Sequence, residues 1–193
     1  MRKIIASEMV SLDGFFENAN RQPDWYRVSN EFFEYSRELL NSVDTILFGR
    51  ITYQIMENFW PEATDEDAVI THKMNHLNKI VFTKSLKTVG WNNSEIAEYD
   101  LKEEVLKIKN TTGKDVVIFG SGTLVRALTQ FGLIDEYHLA VNPVILGNGT
   151  SLFEGVQGKM ILKLLKAKPL DSGVVILYYA PLRNDYANAI ISS

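Results

Sequence analysis

The sequence contains no cysteine and no hydrophobic run long enough to cross a membrane. Without cysteine the chain cannot form disulfides, thiolate nucleophiles or cysteine-ligated metal sites, and this composition fits a reducing compartment. A membrane-spanning helix needs about 20 apolar residues, and the N-terminal apolar run, KIIASEMV, is also too short for the core of a signal peptide. We therefore expect a cytoplasmic protein with no membrane partner.

The sequence also lacks an excess of basic residues. Its 20 Lys and Arg against 24 Asp and Glu give a formal net charge of −4, and the basic residues are scattered along the chain. A surface for nucleic acid needs clustered basic residues, so we expect no nucleic-acid partner. A length of 193 residues suits one well-buried domain. We predict a single domain over residues 1–182 and a loose polar tail over residues 183–193.

A strand, a glycine turn and a helix organise the chain. Val116–Phe119 is a fully apolar run typical of a strand buried on both faces, and Gly120–Gly122 follows it before apolar residues recur at helical spacing. Such a turn leaves backbone N–H groups and the positive end of a helix open to an anion, for which a dinucleotide pyrophosphate is the obvious candidate. Because the third glycine of the dinucleotide fingerprint is missing, an ordinary tight turn is the alternative.

Two other predicted strands end in residues suited to phosphate. Asp44–Phe48 is followed by Gly49–Thr52, where an arginine offers a planar fork beside backbone donors. Lys79–Thr83 runs into a Thr-Lys-Ser cluster, for which an ordinary polar loop is the alternative. If these strands are neighbours, all three strand ends converge on one crevice.

The first predicted strand, Lys3–Val10, is followed by the dipeptide Asp13-Gly14. Asp13 either serves the chemistry of a turn or places a carboxylate at the ligand crevice of an open sheet. Residues 15–27 are predicted as a loop rich in Asn and aromatic residues, and a long loop of this kind often covers a site.

The C-terminal part predicts more strands. Tyr137–Val141 and Val144–Leu146 are predicted as one strand interrupted at Pro143. Met160–Lys168 and Gly173–Tyr179 are joined by a short link, which predicts an antiparallel hairpin at the edge of an otherwise parallel sheet. The predicted fold class is therefore α/β, with a mostly parallel sheet and a C-terminal hairpin.

Two histidines, His72 and His76, are spaced to share one face of a predicted helix. A metal pair and a polar helix face are both compatible with this spacing. The segment HKMNH lacks the glutamate of HExxH and any third ligand nearby, so we predict no metal site.

The chain resembles the dihydrofolate reductase superfamily in the order and spacing of the motifs SLDGFF, LFGRITYQ, FWP, KIVFTKSL, VVIFGSGTLVRALTQFGLIDEYHLAVNPVILGNGTSLF and GVVILYYAP. The resemblance covers nearly the whole chain. It points to the branch that contains the reductase domain of the bacterial bifunctional riboflavin-biosynthesis deaminase-reductase. It implies a three-layer fold with helices on both faces of the sheet, NADPH as the cofactor and a homodimer.

The resemblance also implies roles for individual residues. In the family, the turn that corresponds to Gly49–Thr52 holds a cofactor phosphate, and the glycine turn Gly120–Gly122 holds the pyrophosphate. The Thr-Lys-Ser cluster binds the 2′-phosphate, which selects NADPH over NADH. The expected cofactor-binding residues are Val10, Gly14, Gly49, Arg50, Thr52, Thr83, Lys84, Ser85, Gly120, Ser121, Gly122, Thr123 and Leu124. We expect Asp13 to orient or protonate the substrate, and Trp25, Glu31 and Phe153 to contact it.

The function that the resemblance implies is that of an NADPH-dependent reductase similar to 5-amino-6-(5-phosphoribosylamino)uracil reductase. Hydride would pass to a C=N or C=O bond of a small heterocyclic or sugar-amine substrate. The zinc deaminase domain is not expected, because the chain has no cysteine and no room for it. The alternative is a non-catalytic nucleotide-binding or homodimeric interaction module on the same fold.

Overall fold

The computed structural model describes residues 1–182, so the tail expected at residues 183–193 lies outside the described residues. An eight-stranded sheet forms the centre and a two-stranded sheet lies beside it. The strands are β1 (Ile4–Ser11), β2 (Phe15–Glu17), β3 (Val43–Gly49), β4 (Asn78–Phe82), β5 (Ser94–Ile96), β6 (Asp115–Phe119), β7 (Glu136–Asn142), β8 (Thr150–Ser151), β9 (Leu162–Pro169) and β10 (Val175–Pro181). The helices are α1 (Asn30–Ser42), α2 (Arg50–Phe59), α3 (Ala68–His76), α4 (Leu101–Lys109) and α5 (Gly122–Gln130), and a short 3-10 helix, Trp60–Glu62, follows α2.

The large sheet has the strand order β5-β4-β3-β6-β1-β7-β10-β9. The strands from β5 to β7 run parallel to their neighbours, whereas β10 is antiparallel to both β7 and β9. The predicted fold class, a mostly parallel sheet with a C-terminal hairpin at its edge, is confirmed. Because β1 lies in the interior of this sheet, the successive residues Ile4, Ile5 and Ala6 are all buried.

Helices cover both faces of the sheet, as the resemblance implied. On one face, which we call the α1 face, Tyr35 of α1 and Tyr53 of α2 share a core cluster with Ile5. On the other, the α5 face, Leu128 of α5 shares a second cluster with Ile4. Alternate residues of β1 therefore belong to different cores, which is the period-two pattern of a strand buried on both sides.

The predicted strand over Val144–Leu146 is wrong, since these residues belong to the loop between β7 and β8. Pro143 has no N–H group to donate to a sheet. The amides of Leu146 and Gly147 donate to the carboxylate of Asp13, which takes the place of a neighbouring strand. A side chain in the turn after β1 thus pairs amides that a neighbouring strand would pair in a sheet.

Residues 15–27 are also not a loop throughout. Phe15–Glu17 forms β2, which pairs antiparallel with β8. The partner strand lies far along the chain and consists of Thr150 and Ser151. A three-residue strand whose partner is this short and distant leaves no local pattern to predict it.

A fully buried lysine, Lys79, ties the start of β4 to its surroundings. Its Nζ donates to the carbonyl oxygens of Leu77 at 2.7 Å, Asn92 at 2.9 Å and Asn75 at 3.3 Å, and it lies 4.4 Å from the centroid of the Trp91 ring. Burial lowers the pKa of Lys79 to about 8, so the ammonium group still carries its charge at neutral pH. All three of its protons are then used in hydrogen bonds.

Replacing Lys79 by methionine should lower the free energy of unfolding by about 3 kcal/mol, because buried carbonyl groups lose their donor. The matched control is Lys87→Met, at an exposed position, which should change this free energy by less than about 0.5 kcal/mol. Urea denaturation of the three proteins at neutral pH measures the difference. Equal stability of Lys79→Met and wild type would show that the ammonium group makes no net contribution.

Candidate functional site

The carboxyl ends of three neighbouring strands form one edge of the sheet, which we call the carboxyl edge. β4, β3 and β6 lie side by side, with Gly49 paired to Phe82. The turns Gly49–Thr52, Thr83–Ser85 and Gly120–Gly122 therefore all begin at this edge. The structure brings together the three turns that the sequence singled out, at the edge where open α/β sheets bind ligands.

The turns after β3 and β6 are packed too closely to admit side chains at their glycines. A Cβ atom on Gly49 would overlap Ser121 Oγ, and a Cβ atom on Gly120 would lie 2.9 Å from Thr52 Cγ2. Gly120 also has a φ of 60°, in the left-handed region that glycine tolerates best. This reciprocal contact sets the first turns of α2 and α5 side by side.

The starts of α2 and α5 differ from those of the other helices. Within residues 1–182, neither start has a side-chain cap, whereas Ser29, Asp67 and Asp100 accept hydrogen bonds from the first turns of α1, α3 and α4. An uncapped start leaves N–H donors and the positive end of the helix dipole to an external acceptor. Two such starts side by side make the carboxyl edge suitable for an anion.

Two cationic side chains stand at the same edge. Arg50, the first residue of α2, is exposed, and Lys84 is exposed without an ion pair in the described part of the chain. Thr83 has another task, because its Oγ1 accepts from the amide of Ser85 at 3.1 Å and from the next amide, and so forms the turn that carries Lys84. Apart from the hydrogen bond that Arg50 Nη1 donates to Gln54 Oε1 at 3.0 Å, Arg50 and Lys84 are available to a bound phosphate.

The remaining expected cofactor residues are not equivalent. Thr123 is exposed in the first turn of α5. Val10 and Leu124 are buried in the core of the α5 face, and the amide of Leu124 already donates to the carbonyl oxygen of Ser121 at 2.7 Å. Gly14 has a φ of 84° in the turn after β1. This geometry keeps Thr123 as a candidate ligand and gives Val10 and Leu124 a packing role.

Two residues that the sequence did not single out pack against Gly122 at the start of α5. A Cβ atom on Gly122 would lie 2.6 Å from the ring of Phe16, and the guanidinium of Arg126 lies 5.7 Å from the centroid of the same ring. Arg126 also donates to the carbonyl oxygen of Ser151 at 3.3 Å. The pairing of β2 with β8 is what carries Phe16 here, so no local pattern could have indicated it.

Asp13 holds a loop in place. Its carboxylate accepts from Ser11 Oγ at 2.7 Å, from the amide of Gly147 at 2.8 Å and from the amide of Leu146 at 3.1 Å. The hydrogen bond from Ser11, together with those from the two amides, lowers the pKa of Asp13 to about 2. A group that stays ionised at physiological pH is a poor proton donor. The geometry therefore supports a positioning role for Asp13 in place of the expected protonation.

The three expected substrate contacts do not form one group. Glu31 accepts the amide of Asp171 at 2.6 Å, which ties α1 to the turn between β9 and β10. Phe153 packs edge to face on Tyr137 of the α5 face, with ring centroids 5.9 Å apart, so it lies across the sheet from α1. Trp25 is half-buried, and its Nε1 is buried without an acceptor in residues 1–182. Of the three, Trp25 retains an unused hydrogen-bond donor.

An opening on the α1 face lies beside the carboxyl edge. Ser7 and Met9 stand on the interior strand β1 and are nevertheless partly exposed, as is Phe119 of the neighbouring strand β6. Side chains on an interior strand are exposed where the layer of helices above them is open. Ser7 pairs with Phe119, the residue before Gly120. This opening, which we call the β1 cleft, therefore begins where the glycine turn begins.

Glu8 is the acidic residue nearest to the β1 cleft in sequence, but it faces the other side of the sheet. It is buried, and its Oε1 has no hydrogen-bond partner among the residues that the structure describes. Burial raises the pKa of Glu8 well above its ordinary value and so favours the neutral acid. The sheet itself separates this carboxyl group from the cleft.

A groove of about 480 Å³ lies at the opposite, amino-terminal edge, where Arg2 and Lys107 are among its lining residues. Its cations are already engaged, since Arg2 pairs with Asp44 and Lys107 pairs with Glu98. The helix beside it, α4, is capped by its own side chain. For these reasons we place the candidate site at the carboxyl edge and the β1 cleft.

His72 and His76 stack on each other, with ring centroids 4.1 Å apart, and His76 Nδ1 lies 2.8 Å from the carbonyl oxygen of His72. Over residues 1–182, no three His, Asp or Glu side chains are arranged to hold a metal ion. Across the same range, none of the helices combines the length and the apolar character needed to cross a bilayer.

Residues 2–176 match the family model described as the RibD C-terminal domain. The chain belongs to the RibD C-terminal domain family. A curated relative, the uncharacterized protein YyaP of Bacillus subtilis (strain 168), is 32% identical over 180 residues, which cover 92% of this chain and 94% of YyaP. The family expected from the motifs is thereby confirmed.

Solved structures confirm the dihydrofolate reductase-like fold. A putative riboflavin biosynthesis protein from Shewanella sp. PV-4 superimposes with a TM-score of 0.74 at 18% identity, covering 94% of this chain and 99% of that one. A dihydrofolate reductase from Enterococcus faecalis, complexed with NADP(H), superimposes with a TM-score of 0.65 at 14% identity, covering 94% of this chain and 97% of that one. A Thermotoga maritima diaminohydroxyphosphoribosylaminopyrimidine deaminase/5-amino-6-(5-phosphoribosylamino)uracil reductase gives 0.69 at 15% identity, with 94% of this chain matching 57% of that one.

Replacing Asp13 by alanine should speed hydrogen exchange at the amides of Leu146 and Gly147 by about tenfold, because both lose their acceptor. In the wild type, hydrogen exchange at these two amides should also lose its protection at low pH. The pKa of Asp13 is lowered from 3.8 to about 2. The hydrogen bonds from the two amides to the ionised Asp13, which we call the Asp13 clamp, are therefore fully present above the ordinary pKa of 3.8 and are lost as the pH falls through about 2. Asp65→Ala, at an exposed position, is the control. Unchanged exchange in Asp13→Ala would mean that other contacts hold the loop.

Proposed function

We propose that this protein is an NADPH-dependent reductase that transfers hydride to a C=N or C=O bond of a small heterocyclic or sugar-amine substrate. The observation that carries the proposal is the pair of uncapped helix starts at the carboxyl edge, with Arg50 and Lys84 beside them. Membership of the RibD C-terminal domain family supports the reaction class, as does the likeness to a chain described as a 5-amino-6-(5-phosphoribosylamino)uracil reductase.

The pyrophosphate of the cofactor is assigned to the starts of α2 and α5. The amides of Gly122 and Thr123 donate to no acceptor in the described part of the chain, and Ser121 provides no side-chain cap. The tight packing at Gly49 and Gly120 holds the two helix starts together, so that their positive ends lie side by side at the carboxyl edge. Because the net charge of the chain is −4, the attraction for an anion has to come from such local donors.

The 2′-phosphate is assigned to the turn after β4. Lys84 and Ser85 are exposed there, and the pairing of Gly49 with Phe82 sets this turn one strand spacing, about 4.8 Å, from the start of α2. Arg50 at that start provides a planar fork for a phosphate oxygen pair. This arrangement supports the selection of NADPH over NADH.

The acceptor ring of the substrate is assigned to the β1 cleft. NADPH supplies the hydride when it is bound. The chain's own contribution is to hold the phosphates at the carboxyl edge and to present partly buried apolar side chains on the α1 face, among them Met9, Phe32 and Phe119. Asp13 keeps the loop after β7 in position at the end of β1, and so acts as a positioning residue.

The homodimer expected from the family stays a prediction. β9 is the last strand of the large sheet and has no partner on its outer side within residues 1–182. It exposes Leu164 and Leu165 by 49% and 48%, which is apolar surface that a second copy could cover. Sedimentation of the purified protein measures the oligomeric state.

Titration with NADPH and NADH, followed by nicotinamide fluorescence, tests the proposed cofactor. We expect NADPH to bind more tightly than NADH. Lys84→Gln should weaken NADPH about tenfold, because one charge-assisted hydrogen bond is lost, and should leave NADH unchanged. Arg50→Ala should likewise weaken NADPH more than NADH. Lys87→Gln, on an exposed residue beyond the turn, is the matched control and should change neither.

Two outcomes would contradict this account. Equal losses for both nucleotides in the Lys84 and Arg50 variants would remove the 2′-phosphate assignment. Failure of the wild type to bind either nucleotide would favour a non-catalytic interaction module on the same fold.

A further inference from the structure

A chain of hydrogen bonds leads from the β1 cleft to the protein surface. Ser7 Oγ lies 2.8 Å from the hydroxyl of Tyr35, which lies 3.2 Å from His138 Nδ1. His138 Nε2 lies 3.2 Å from Glu136 Oε2, and Glu136 Oε1 accepts from Lys3 Nζ at 2.6 Å. These side chains come from β1, α1, β7 and, for Lys3, the residue just before β1, and the proposed cofactor site uses none of them.

The ionised carboxylate of Glu136 fixes which group donates and which accepts in each hydrogen bond from Glu136 to Ser7. Burial opposes ionisation of Glu136, but the hydrogen bonds from Lys3 and His138 outweigh it, so the pKa of Glu136 is lowered. An ionised carboxylate only accepts, and therefore His138 must carry a proton on Nε2. Burial lowers the pKa of His138 more than Glu136 raises it, which keeps the ring neutral at neutral pH.

A neutral ring with its proton on Nε2 leaves Nδ1 as an acceptor. The hydroxyl of Tyr35 must then donate to His138, and the oxygen of Tyr35 accepts from Ser7. The proton of Ser7 is thus turned away from the cleft. Ser7 is partly exposed on the cleft side of β1, and a hydroxyl that donates to Tyr35 keeps lone pairs with which it can accept a hydrogen bond there.

We propose that Ser7 determines substrate specificity by accepting a hydrogen bond from an N–H group of a planar heterocycle, and that His138 sets this direction through Tyr35. The inference rests on the proposed function, because it takes the β1 cleft as the substrate site. Met9 and Phe119 lie beside Ser7 on the same face and supply the apolar surface for such a ring.

Protonation of His138 would exchange the donor and the acceptor in each hydrogen bond between His138 and Ser7. Nδ1 would then donate to Tyr35, Tyr35 to Ser7, and the hydroxyl of Ser7 would point into the cleft as a donor. The titratable or charged groups that face His138 are Glu136 on its own strand, Tyr35 of α1 and Tyr178 of β10, whose ring centroid is 4.5 Å away, with Lys3, just before β1, behind Glu136. The preference for a ligand with an N–H donor should therefore be lost when the pH falls far enough to protonate His138.

The donor and acceptor roles in this series of hydrogen bonds can be measured without nucleotide or substrate. The chain has 3 histidines, so nitrogen NMR of the ring signals, assigned with His138→Gln, identifies which nitrogen of His138 carries the proton. We expect Nε2 to be protonated and Nδ1 to be bare at neutral pH. A proton on Nδ1 at neutral pH would overturn the inference, whatever the outcome of the nucleotide titration.

The specificity itself is tested with uracil and 1,3-dimethyluracil, which differ in their ring N–H groups, by ligand-observed NMR at millimolar concentration. Wild type should prefer uracil about tenfold, the value of one hydrogen bond. Ser7→Thr should retain the preference, and Ser7→Ala should lose it. In wild type it should fade at the pKa measured for His138, whereas Tyr35→Phe, which separates Ser7 from His138, should make it independent of pH.

Persistence of the preference in Ser7→Ala would show that the methyl groups merely clash, and would overturn the role of Ser7. Failure of wild type to bind either compound would overturn the substrate class. Because these measurements need no NADPH, a protein that shows the predicted preference but binds no nucleotide would refute the reductase and retain the Ser7 site.

Discussion

The candidate site depends on the contact between two glycine turns. Gly49 is pressed against Ser121 and Gly120 against Thr52, and neither glycine has room for a Cβ atom. Since the turns follow β3 and β6, two neighbouring strands in the interior of the sheet, the spacing of the α2 and α5 starts is built on largely buried strands. The β1 cleft lies next to this contact, because β1 pairs with β6 up to the residue before Gly120.

The same contact has an electrostatic consequence. Leaving a helix start without a cap costs about 1 kcal/mol of stability, and this chain accepts that cost at α2 and α5 while it caps α1, α3 and α4 with Ser29, Asp67 and Asp100. An acidic protein can hold an anionic cofactor in this way, because the donors act locally. Arg50 and Lys84 then add charge where a terminal phosphate would extend.

Local features of the site could be predicted from the sequence, and long-range ones could not. Each strand–glycine–helix unit is continuous in the chain, whereas the strand order that brings the units together is set by long-range pairing that local patterns do not specify. The clamp at Asp13 and the position of Phe153 depend on partners far along the chain, so their roles in the sequence account were incomplete. The link between Ser7, Tyr35 and His138 is equally non-local, because each of these residues is unremarkable within its own element.

The central claim is that the uncapped starts of α2 and α5 bind the phosphates of a dinucleotide. Amide NMR spectra recorded during addition of NADPH test it most directly. The account predicts large shifts at Ile51, Gly122 and Thr123, and none at the capped start of α4, where Asp100 already occupies the first-turn amide of Glu103. Shifts confined to the groove at the amino-terminal edge, or none at the two uncapped starts, would contradict it.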